Sequence, residues 1–383
     1  MAGALHSTSG LTRTTTVASA LIISLATTTV APASACSIFS FSHDGSTVFG
    51  QNLDWRERFP GSVVVNPRGI EKTVLPWKGD WPTSFEGEPV SWISRYGSVT
   101  FTCYGRDFIE GGMNEAGLTV DETSLTAVYP PVDDRPGISC AQWMQYQLDN
   151  YATVEEVLLH LGDLRPDGGG WHYLMADADG DCAVIEYPDG GPHVYTADAI
   201  QFCALTNTTY RQATSHIQMD KAFGGGLAIG AGDDSYGRFV RMALRMRDYD
   251  PELHGTPAEY AFRILDEMSC YETIRSVVYD AGERRVSWKT PGDPEVRWLD
   301  FAALDLRFEA PVMMLDVEAG GRGDAAALLM EYSTGANRAI VTGVKDAGQR
   351  SPDTVDELES RGLTYDEALE LIATHPTSTG GPQ

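Results

Sequence analysis

Cys36 is the feature of this sequence that most constrains its fold, because it separates two segments of opposite character. Residues 1–35 contain no acidic residue and one arginine, Arg13, followed by an apolar run at 17–26 and by Ala33-Ser34-Ala35. A basic start, a short apolar centre and an A-x-A cleavage site are typical of a secretory leader. After Cys36, the residues Ser-Ile-Phe-Ser-Phe-Ser alternate in polarity, which predicts a strand with one buried face. Position 36 is therefore predicted to begin the exported chain at the head of a core strand.

Both halves of this prediction have an alternative. The apolar run could be a buried first helix, but it lacks the alternating polar residues of an amphipathic helix. Cys36 could be the lipidated residue of a binding lipoprotein instead of an N-terminal nucleophile. Lipoproteins usually carry a larger aliphatic residue where this chain has Ala33, and a polar tether after the cysteine. These differences favour a cleaved signal peptide and a nucleophilic Cys36.

Charge restricts the partners of the chain. Its 383 residues include 28 Lys and Arg against 54 Asp and Glu, a formal net charge of −26. Such a surface repels phosphate backbones and anionic headgroups, which argues against nucleic acid and against membrane binding by the mature chain. No apolar stretch after the leader is long enough to cross a bilayer. With 42% hydrophobic residues the composition is globular, so we expect a soluble protein that is secreted or periplasmic.

The cysteines and histidines indicate neither a metal site nor a cofactor. Beyond Cys36, five cysteines remain and none forms a C-x-x-C pair: Cys103, Cys140, Cys182, Cys203 and Cys270. The eight histidines have no spacing typical of a catalytic triad or a zinc site. Export permits one or two disulfides. The sequence does not assign their partners, and at least one of the five cysteines must stay outside any disulfide within the chain.

The hydrophobic period changes along the chain between two and about 3.6 residues. Alternation predicts strands at 37–42, 47–50, 62–65, 96–104, 118–121, 171–177, 183–187, 200–205, 276–279 and 285–289, with turns at Asp44-Gly45 and Gly111-Gly112. Helical spacing predicts helices at 140–150, 153–161, 238–246, 257–267, 324–332 and 365–374, the last with Leu369, Leu371 and Ile372 facing inward. Strands and helices grouped in this order indicate a layered α/β (α+β) protein built on antiparallel sheets.

An N-terminal cysteine combines two catalytic groups in one residue. Its thiol is the nucleophile, and its α-amine, with a pKa near ~8, lies close enough to take the thiol proton. Such a site needs no histidine. It needs an acid to hold the ammonium and hydrogen-bond donors for an oxyanion, which the pattern alone does not single out among 54 acidic residues.

Eight short motifs follow one another along the chain: CSIF at 36–39, GQNLDW at 50–55, VVVNPRG at 63–69, YGSVTF at 96–101, GGMNEAGL at 111–118, QWMQYQLD at 142–149, ALTNT at 204–208 and GRFVR at 237–241. Together they resemble the choloylglycine hydrolase family, the linear amide C–N hydrolases, which includes penicillin V acylases and bile salt hydrolases. The resemblance extends from Cys36 to about Val341. It implies the four-layer αββα sandwich of N-terminal nucleophile hydrolases.

The resemblance also implies roles for individual residues. Cys36 would be the nucleophile and, through its amine, the general base, while Asp54 would bind that amine. Asn207 would donate its side-chain amide to the oxyanion, and Arg238 would fix the rotamers of Asp54 and Asn207. The alternative interpretations are a turn cap for Asp54, a glycosylation site at Asn207-Thr-Thr and a surface cation for Arg238.

Two positions depart from the family pattern. Gln51 stands where bile salt and penicillin acylases carry an arginine near the thiol, and a neutral amide cannot lower the thiol pKa by charge. The second oxyanion donor falls at Thr123 and Ser124, where a backbone N–H would replace the family's side chain. We count Gln51, Thr123, Ser124 and Trp55 as substrate-binding positions. Gln51 also raises the alternative of a catalytically degenerate family member.

The predicted reaction is hydrolysis of a linear, non-peptide amide through a thioester on Cys36, with a small N-acyl amide as substrate and without cofactor or metal. Trp55 is the aromatic residue expected at the acyl group, and Phe59 and Trp143 are weaker candidates. The negative surface favours neutral N-acyl compounds over conjugated bile acids. Family members are often homotetramers, which leaves a homo-oligomer open. The predicted organisation is a signal peptide at 1–35, a hydrolase domain at 36–342 and a C-terminal tail with a short helix at 343–383.

Overall fold

The computed structural model describes residues 36–56, 58–75, 85–228, 234–346 and 364–378. The predicted leader and much of the predicted C-terminal tail lie outside these ranges. Helices are α1 (Cys140–Asn150), α2 (Val154–Leu159), α3 (Tyr210–Ile217), α4 (Ser235–Arg247), α5 (Pro251–His254), α6 (Pro257–Met268), α7 (Thr334–Asp346) and α8 (Tyr365–Ser378). Within the described ranges, no helix combines the length and the apolarity that a bilayer span requires.

Strands make up most of the remaining regular structure. They are β1 (Ser37–His43), β2 (Ser46–Asp54), β3 (Ser62–Asn66), β4 (Glu71–Thr73), β5 (Ser91–Ile93), β6 (Ser98–Thr102), β7 (Gly111–Asn114), β8 (Thr119–Ser124), β9 (Gly137–Ser139), β10 (Arg165–Asp167), β11 (Trp171–Ala176), β12 (Cys182–Glu186), β13 (His193–Thr196), β14 (Ala204–Leu205), β15 (Thr273–Asp280), β16 (Arg285–Lys289), β17 (Arg297–Asp300), β18 (Met313–Asp316), β19 (Gly323–Asp324) and β20 (Met330–Glu331).

Two large sheets dominate the fold. The seven-stranded first sheet has the order β14-β1-β2-β15-β16-β17-β19, and the nine-stranded second sheet has the order β13-β12-β11-β8-β7-β6-β3-β18-β20. Pairing is antiparallel throughout these two sheets apart from β17 with β19. Two small two-stranded sheets, β9 with β10 and β4 with β5, lie beside them.

The two large sheets pack face to face through aromatic side chains. Tyr279 of β15 contacts Phe49 of its own sheet, with ring centroids 5.8 Å apart, and Phe101 of the opposite sheet at 6.1 Å. Helices α4 and α6 pack on the outside of the first sheet and α1 on the outside of the second. This αββα order confirms the predicted fold class.

The first hairpin forms as its turn residues require. Asp44 and Gly45 between β1 and β2 adopt φ values of 50° and 78°, the left-handed pair of a two-residue type I′ turn. The turn fixes the register of β1 on β2, with Ser37 opposite Asn52. The hairpin therefore places Cys36 beside the end of β2, where Asp54 lies.

The prediction of a turn at Gly111-Gly112 was wrong, because both residues belong to strand β7 in the interior of the second sheet. A Cβ atom at Gly111 would lie 2.1 Å from Oδ2 of Asp121, and one at Gly112 would lie 2.7 Å from the backbone oxygen of Val99. Glycine is present here because neighbouring groups approach the backbone closely.

Three further predictions were wrong in part or in whole. Residues 324–332 are not an α-helix: strand β19 ends at Asp324, a single 3-10 turn follows at Ala326–Leu328, and β20 completes the segment, with β19 paired to β17 and β20 to β18. Of the predicted strand at 200–205, only Ala204 and Leu205 form a strand. The backbone N–H groups of residues 201 and 202 donate to the Tyr210 hydroxyl and not to a neighbouring strand. Leu371 of α8 is exposed, whereas Leu369 and Ile372 are buried as predicted.

The last two helices pack on the second sheet's core. Helix α7, which the sequence did not predict, crosses the predicted boundary after residue 342, and α8 buries Ala368, Leu369, Ile372 and Ala373. Asn337 of α7 accepts a hydrogen bond from the Arg106 backbone N–H at 2.8 Å and donates one to the Ala373 carbonyl at 2.9 Å.

We expect Gly112→Ala to lower the free energy of unfolding by about 1–3 kcal/mol, because a methyl group would press against backbone that cannot move aside. Gly162→Ala is the matched control, since a Cβ there meets nothing within 4 Å. Urea unfolding of both variants measures the difference. Equal stability of the two variants would show that β7 tolerates a side chain.

Candidate active site

Cys36 lies at the head of β1, between two strands that carry other predicted site residues. Strand β1 pairs with β14, with Ile38 opposite Leu205, and with β2, with Ser37 opposite Asn52. Continuing these registers past the head of β1 places Asn207 on one side of Cys36 and Leu53 on the other. Pairing alone therefore brings residues 36, 54 and 207 to one end of the sheet.

Arg238 connects this end of the sheet to helix α4. It lies in the first turn of α4, which Asp234 caps by accepting the Gly237 N–H at 3.0 Å. Nη1 donates to the Cys36 carbonyl at 2.5 Å and to the Ser37 hydroxyl at 2.8 Å, and Nη2 donates to Oδ1 of Asn207 at 3.2 Å. Its side chain is buried, which excludes the surface-cation interpretation.

Asp54 is a buried carboxyl with one oxygen engaged. The Thr273 hydroxyl donates to Oδ1 at 2.5 Å, while Oδ2 has no hydrogen bond in the described part of the chain. Burial raises the pKa of Asp54 to about 6, although the Thr273 hydroxyl and the positive charge of Arg238 act to lower it. Asp54 ends strand β2 and caps no turn, so this carboxyl is held where a cation could approach it.

The Cys36 thiol lies against the same residue. Its Sγ donates to the backbone carbonyl of Asp54 at 3.7 Å. In the full chain the nitrogen of Cys36 belongs to the peptide bond with Ala35. An α-amine exists at this position only when residues 1–35 are removed.

Asn207 is held so that its amide faces the head of β1. Its Oδ1 accepts from Arg238, and Nδ2 donates one hydrogen to the Ser124 carbonyl at 3.0 Å. An amide nitrogen carries two hydrogens, so one remains for another acceptor. With both ends of the side chain engaged inside the protein, Asn207 is not placed as a glycan acceptor.

Ser124 supplies a second N–H directed to the same region. Leu125 N–H donates to the Gly170 carbonyl at 2.9 Å on the β11 side. Because successive residues of a strand point their backbone groups to opposite sides, the N–H and the carbonyl of Ser124 both point away from β11. The Ser124 carbonyl meets Asn207 there, so of the two predicted positions Ser124, and not Thr123, has its N–H on the Asn207 side.

The other predicted substrate-binding residues fall in different environments. Gln51 is buried, and neither its amide oxygen nor its amide nitrogen has a hydrogen-bond partner among the described residues. Trp55 is half-buried and contacts Phe59, with ring centroids 6.4 Å apart. Trp143 is a core residue, packed 4.6 Å from the Tyr173 ring and 1% exposed.

Several residues of the site were not predicted. Thr273, which begins β15, and Cys270, three residues before it, lie beside Asp54, and burial together with the Asp54 charge raises the pKa of the Cys270 thiol. Ser37 and Ser235 bind Arg238. The antiparallel pairing of β15 with β2 brings residue 273 opposite residue 54. No local sequence pattern predicts that pairing. In the described ranges no group of three or more His, Cys, Asp or Glu is arranged to hold a metal ion.

Cysteine pairing is settled by proximity. Cys182 of β12 and Cys203 form a disulfide, with Cα atoms 6.2 Å apart, and Cys36, Cys103, Cys140 and Cys270 are thiols. The disulfide lies four residues before Asn207 and ties that segment to the second sheet.

This arrangement suits nucleophilic acyl transfer. The Cys36 thiol and the Asn207 amide lie at the head of β1, the buried Asp54 carboxyl lies at the end of the neighbouring β2, and the Arg238 guanidinium bonds to Cys36 and to Asn207. Donors held in fixed positions stabilise the charge that develops on a carbonyl oxygen.

Comparison with known proteins gives a consistent result. The family model described as "Linear amide C-N hydrolases, choloylglycine hydrolase family" matches residues 36–243. The chain is 25% identical to a penicillin V acylase of Pectobacterium atrosepticum over 290 residues, which is 69% of this chain and 74% of that protein.

Two solved structures are similar in fold. The penicillin V acylase of Agrobacterium tumefaciens aligns with a TM-score of 0.68 at 27% identity, covering 78% of this chain and 98% of that one. A mutant conjugated bile acid hydrolase of Clostridium perfringens aligns with a TM-score of 0.60 at 16% identity, covering 75% of this chain and 98% of that one. The second similarity concerns the fold alone.

We expect Asp54→Asn to stabilise the unprocessed chain at neutral pH. With a folded-state pKa of about 6, the folded chain retains a proton that the unfolded chain releases near pH ~4. The free energy of unfolding therefore falls as the pH rises from ~4 to ~6, and Asn removes this loss. The gain should be about 2–3 kcal/mol at pH 7 and small at pH 4.

Urea unfolding at the two pH values measures this gain. Asp134→Asn, at an exposed position, is the control and should change stability by less than ~0.5 kcal/mol. A loss of stability in Asp54→Asn at pH 7 would contradict the interpretation that the buried carboxylate is costly.

Proposed function

We propose that this chain, which belongs to the choloylglycine hydrolase family of linear amide C–N hydrolases, cleaves N-acyl amides with Cys36 as its nucleophile. The observation that carries the proposal is the position of Arg238, which hydrogen-bonds both to Cys36 and to Asn207. One buried side chain thereby fixes the distance between the proposed nucleophile and the proposed oxyanion donor.

Removal of residues 1–35 is the step that would create the general base. Cleavage after Ala35 leaves Cys36 with a free α-amine, whose pKa near ~8 suits a base at neutral pH. Oδ2 of Asp54, which has no hydrogen-bond partner among the described residues, supports this proposal, since an ammonium would complete its hydrogen bonding. The ammonium would in turn favour the ionised form of Asp54 and lower its pKa.

In the first half of the reaction, the amine of Cys36 accepts the thiol proton as Sγ attacks the acyl carbon. A C–S bond forms, and the carbonyl oxygen becomes an oxyanion. The second hydrogen of Asn207 Nδ2 and the Ser124 N–H donate to this oxygen. The C–N bond then breaks, the Cys36 ammonium returns its proton to the leaving amine, and a thioester remains.

In the second half, water replaces the amine. The α-amine of Cys36 takes a proton from water as the hydroxide attacks the thioester carbon, and the same two donors stabilise the second oxyanion. The C–S bond breaks, the thiolate recovers its proton and the carboxylic acid leaves. The identical geometry serves both halves, so no further catalytic group is needed.

The substrate class follows from Gln51 and Trp55. Gln51 offers a neutral donor and acceptor that the folded chain leaves without a partner in its described part, and Trp55 with Phe59 offers a partly exposed aromatic surface. We propose a neutral N-acyl amide with an apolar or aromatic acyl group. An N-acyl homoserine lactone is a neutral compound of this kind. Penicillin V, which has an aromatic acyl group but carries a carboxylate, is tested beside it because two relatives are named penicillin V acylases.

Export is part of the proposal. The basic start, apolar run and A-x-A site before Cys36 support cleavage by a signal peptidase. The alternative of a lipidated Cys36 predicts a blocked amine and no amidase activity. The intact mass of the mature protein separates the two, because a lipid adds a defined mass to the N-terminal residue.

We expect both Cys36→Ala and a full chain that retains Ala35 to lack amidase activity, because the first has no thiol and the second has no α-amine. Incubation of the mature protein with substrate and rapid acid quenching should yield a chain heavier by one acyl group at Cys36. Cys140→Ala is the matched control and should keep full activity, since Cys140 is buried under the second sheet. Activity in Cys36→Ala would refute the proposal.

We expect Gln51→Leu to raise KM about 10-fold, because a hydrogen bond to substrate is worth about 1.5 kcal/mol, and to make the protein more stable by removing an unpaired buried amide. Gln145→Leu is the control: it removes a donor to Asp149 at 2.8 Å, so it should destabilise the protein and leave KM unchanged.

Steady-state kinetics with penicillin V, an N-acyl homoserine lactone and a glycine-conjugated bile acid test the substrate class. A preference for the bile acid or for penicillin V over the neutral lactone would contradict it.

A further inference from the structure

A row of three buried polar residues crosses the second sheet close to Asn207. Thr123 of β8 lies opposite His172 of β11, and continuing the pairing of β11 with β12 places Glu186 opposite His172. All three are at most 1% exposed. Polar side chains at this depth must satisfy one another or a neighbour, and the sequence motifs do not include His172 or Glu186.

Both ends of this row bind the segment that carries Asn207. At one end, the Thr123 hydroxyl donates to the Thr206 carbonyl at 3.2 Å, one residue before Asn207. At the other end, Oε1 of Glu186 accepts the Tyr210 N–H at 2.6 Å, three residues after Asn207. His172 joins the two ends, with Nε2 bonded to the Thr123 hydroxyl and Nδ1 at 3.0 Å from Oε1 of Glu186.

Counting hydrogens assigns the direction of each bond. The Thr123 hydroxyl has one hydrogen, and the Thr206 carbonyl takes it, so Nε2 of His172 must donate to Thr123. Nδ1 of His172 and Oε1 of Glu186, 3.0 Å apart, share a second hydrogen, because two acceptors do not bond each other directly. His172 therefore links Glu186 to the Thr123 hydroxyl.

The row also sets where Ser124 points. Thr123 precedes Ser124, whose carbonyl accepts from Asn207. A displacement of Thr123 would therefore move both proposed oxyanion donors, the Ser124 N–H and the Asn207 amide. The disulfide between Cys182 and Cys203 holds the same segment from its other side, since Cys182 begins the strand that Glu186 ends.

We propose that Glu186 and His172, acting through Thr123, are positioning residues for the oxyanion site. They touch neither the substrate nor the reacting atoms. They hold residues 206–210 against the second sheet so that the two donors converge beside Cys36. This inference depends on the proposed function, because it assigns the row to the oxyanion that Asn207 is proposed to bind.

The first test replaces the hydroxyl without changing shape. Thr123→Val should lower kcat about 10–100-fold with KM within about threefold, because the donors bind the transition state more strongly than the ground state. Thr123→Ser, which restores the hydroxyl, should recover kcat to within about threefold. Thr100→Val is the matched control: Thr100 is buried in the same sheet and accepts from Asn66 at 3.1 Å, so its loss should affect stability and not kcat.

The second test asks whether the row acts through Asn207. Asn207→Ala alone should lower kcat about 10²-fold or more. In that background Thr123→Val and Glu186→Gln should each lower kcat by a much smaller factor than in the wild-type protein, because the Asn207 amide that they help to position is absent. Full additivity of the two losses would overturn the inference, and so would an unchanged kcat in Thr123→Val.

Two readouts keep the inference separate from the function on which it rests. Alkylation of Cys36 by iodoacetamide should be unchanged in Thr123→Val and Glu186→Gln, since neither residue binds Cys36. The nitrogen NMR spectrum should show Nε2 of His172 protonated, and an unprotonated Nε2 would overturn the hydrogen-bond assignment. If Cys36→Ala or Asn207→Ala stays active, the proposed function fails; if only the row variants stay active, the inference alone fails.

Discussion

A buried guanidinium organises this protein. Arg238 is 1% exposed, and its nitrogens donate to the Cys36 carbonyl, the Ser37 and Ser235 hydroxyls and the Asn207 amide oxygen. Burying such a cation is costly unless acceptors surround it. Burial lowers the pKa of Arg238, while the charge of Asp54 opposes that change. This requirement for acceptors explains why Cys36 and Ser37, which precede Arg238 by 202 and 201 positions in sequence, meet it at the first turn of α4.

Some of the buried polar atoms without a hydrogen bond lie where the chemistry is proposed, and others lie elsewhere in the described part of the chain. Oδ2 of Asp54 and both amide atoms of Gln51 are buried without a hydrogen bond in the described part of the chain, whereas the Thr123 hydroxyl, both ring nitrogens of His172 and Oε1 of Glu186 are hydrogen-bonded. Active sites commonly retain such costly groups, which reduce stability and serve function. This contrast supports the proposed function, in which an amine binds Asp54 and a substrate binds Gln51.

Sequence reasoning succeeded where a local pattern has one physical solution. Helix α1 has the predicted bounds, 140–150, because apolar residues recur with helical spacing after the Ser139 cap, and the β1–β2 hairpin follows from Asp44-Gly45. It failed where contacts with residues distant in sequence override the local pattern. The composition of Gly111-Gly112 predicts a turn. The two residues lie in a strand, and glycine is necessary there because a Cβ atom would collide with Asp121 or Val99. Residues 324–332 have helical spacing, yet two sheet edges offer their backbone other partners.

The sequence by itself determined the family motifs, the head-of-strand position of Cys36 and the candidate set of Asp54, Asn207 and Arg238, because these residues lie in short conspicuous segments. Only the tertiary structure decided which groups serve them. Thr273 bonds to Asp54 across 219 residues, and His172 and Glu186 reach the Asn207 segment from two other strands. Contacts of this kind depend on strand order and register, which are set by the packing of the whole sheet and leave no mark in any local stretch of sequence.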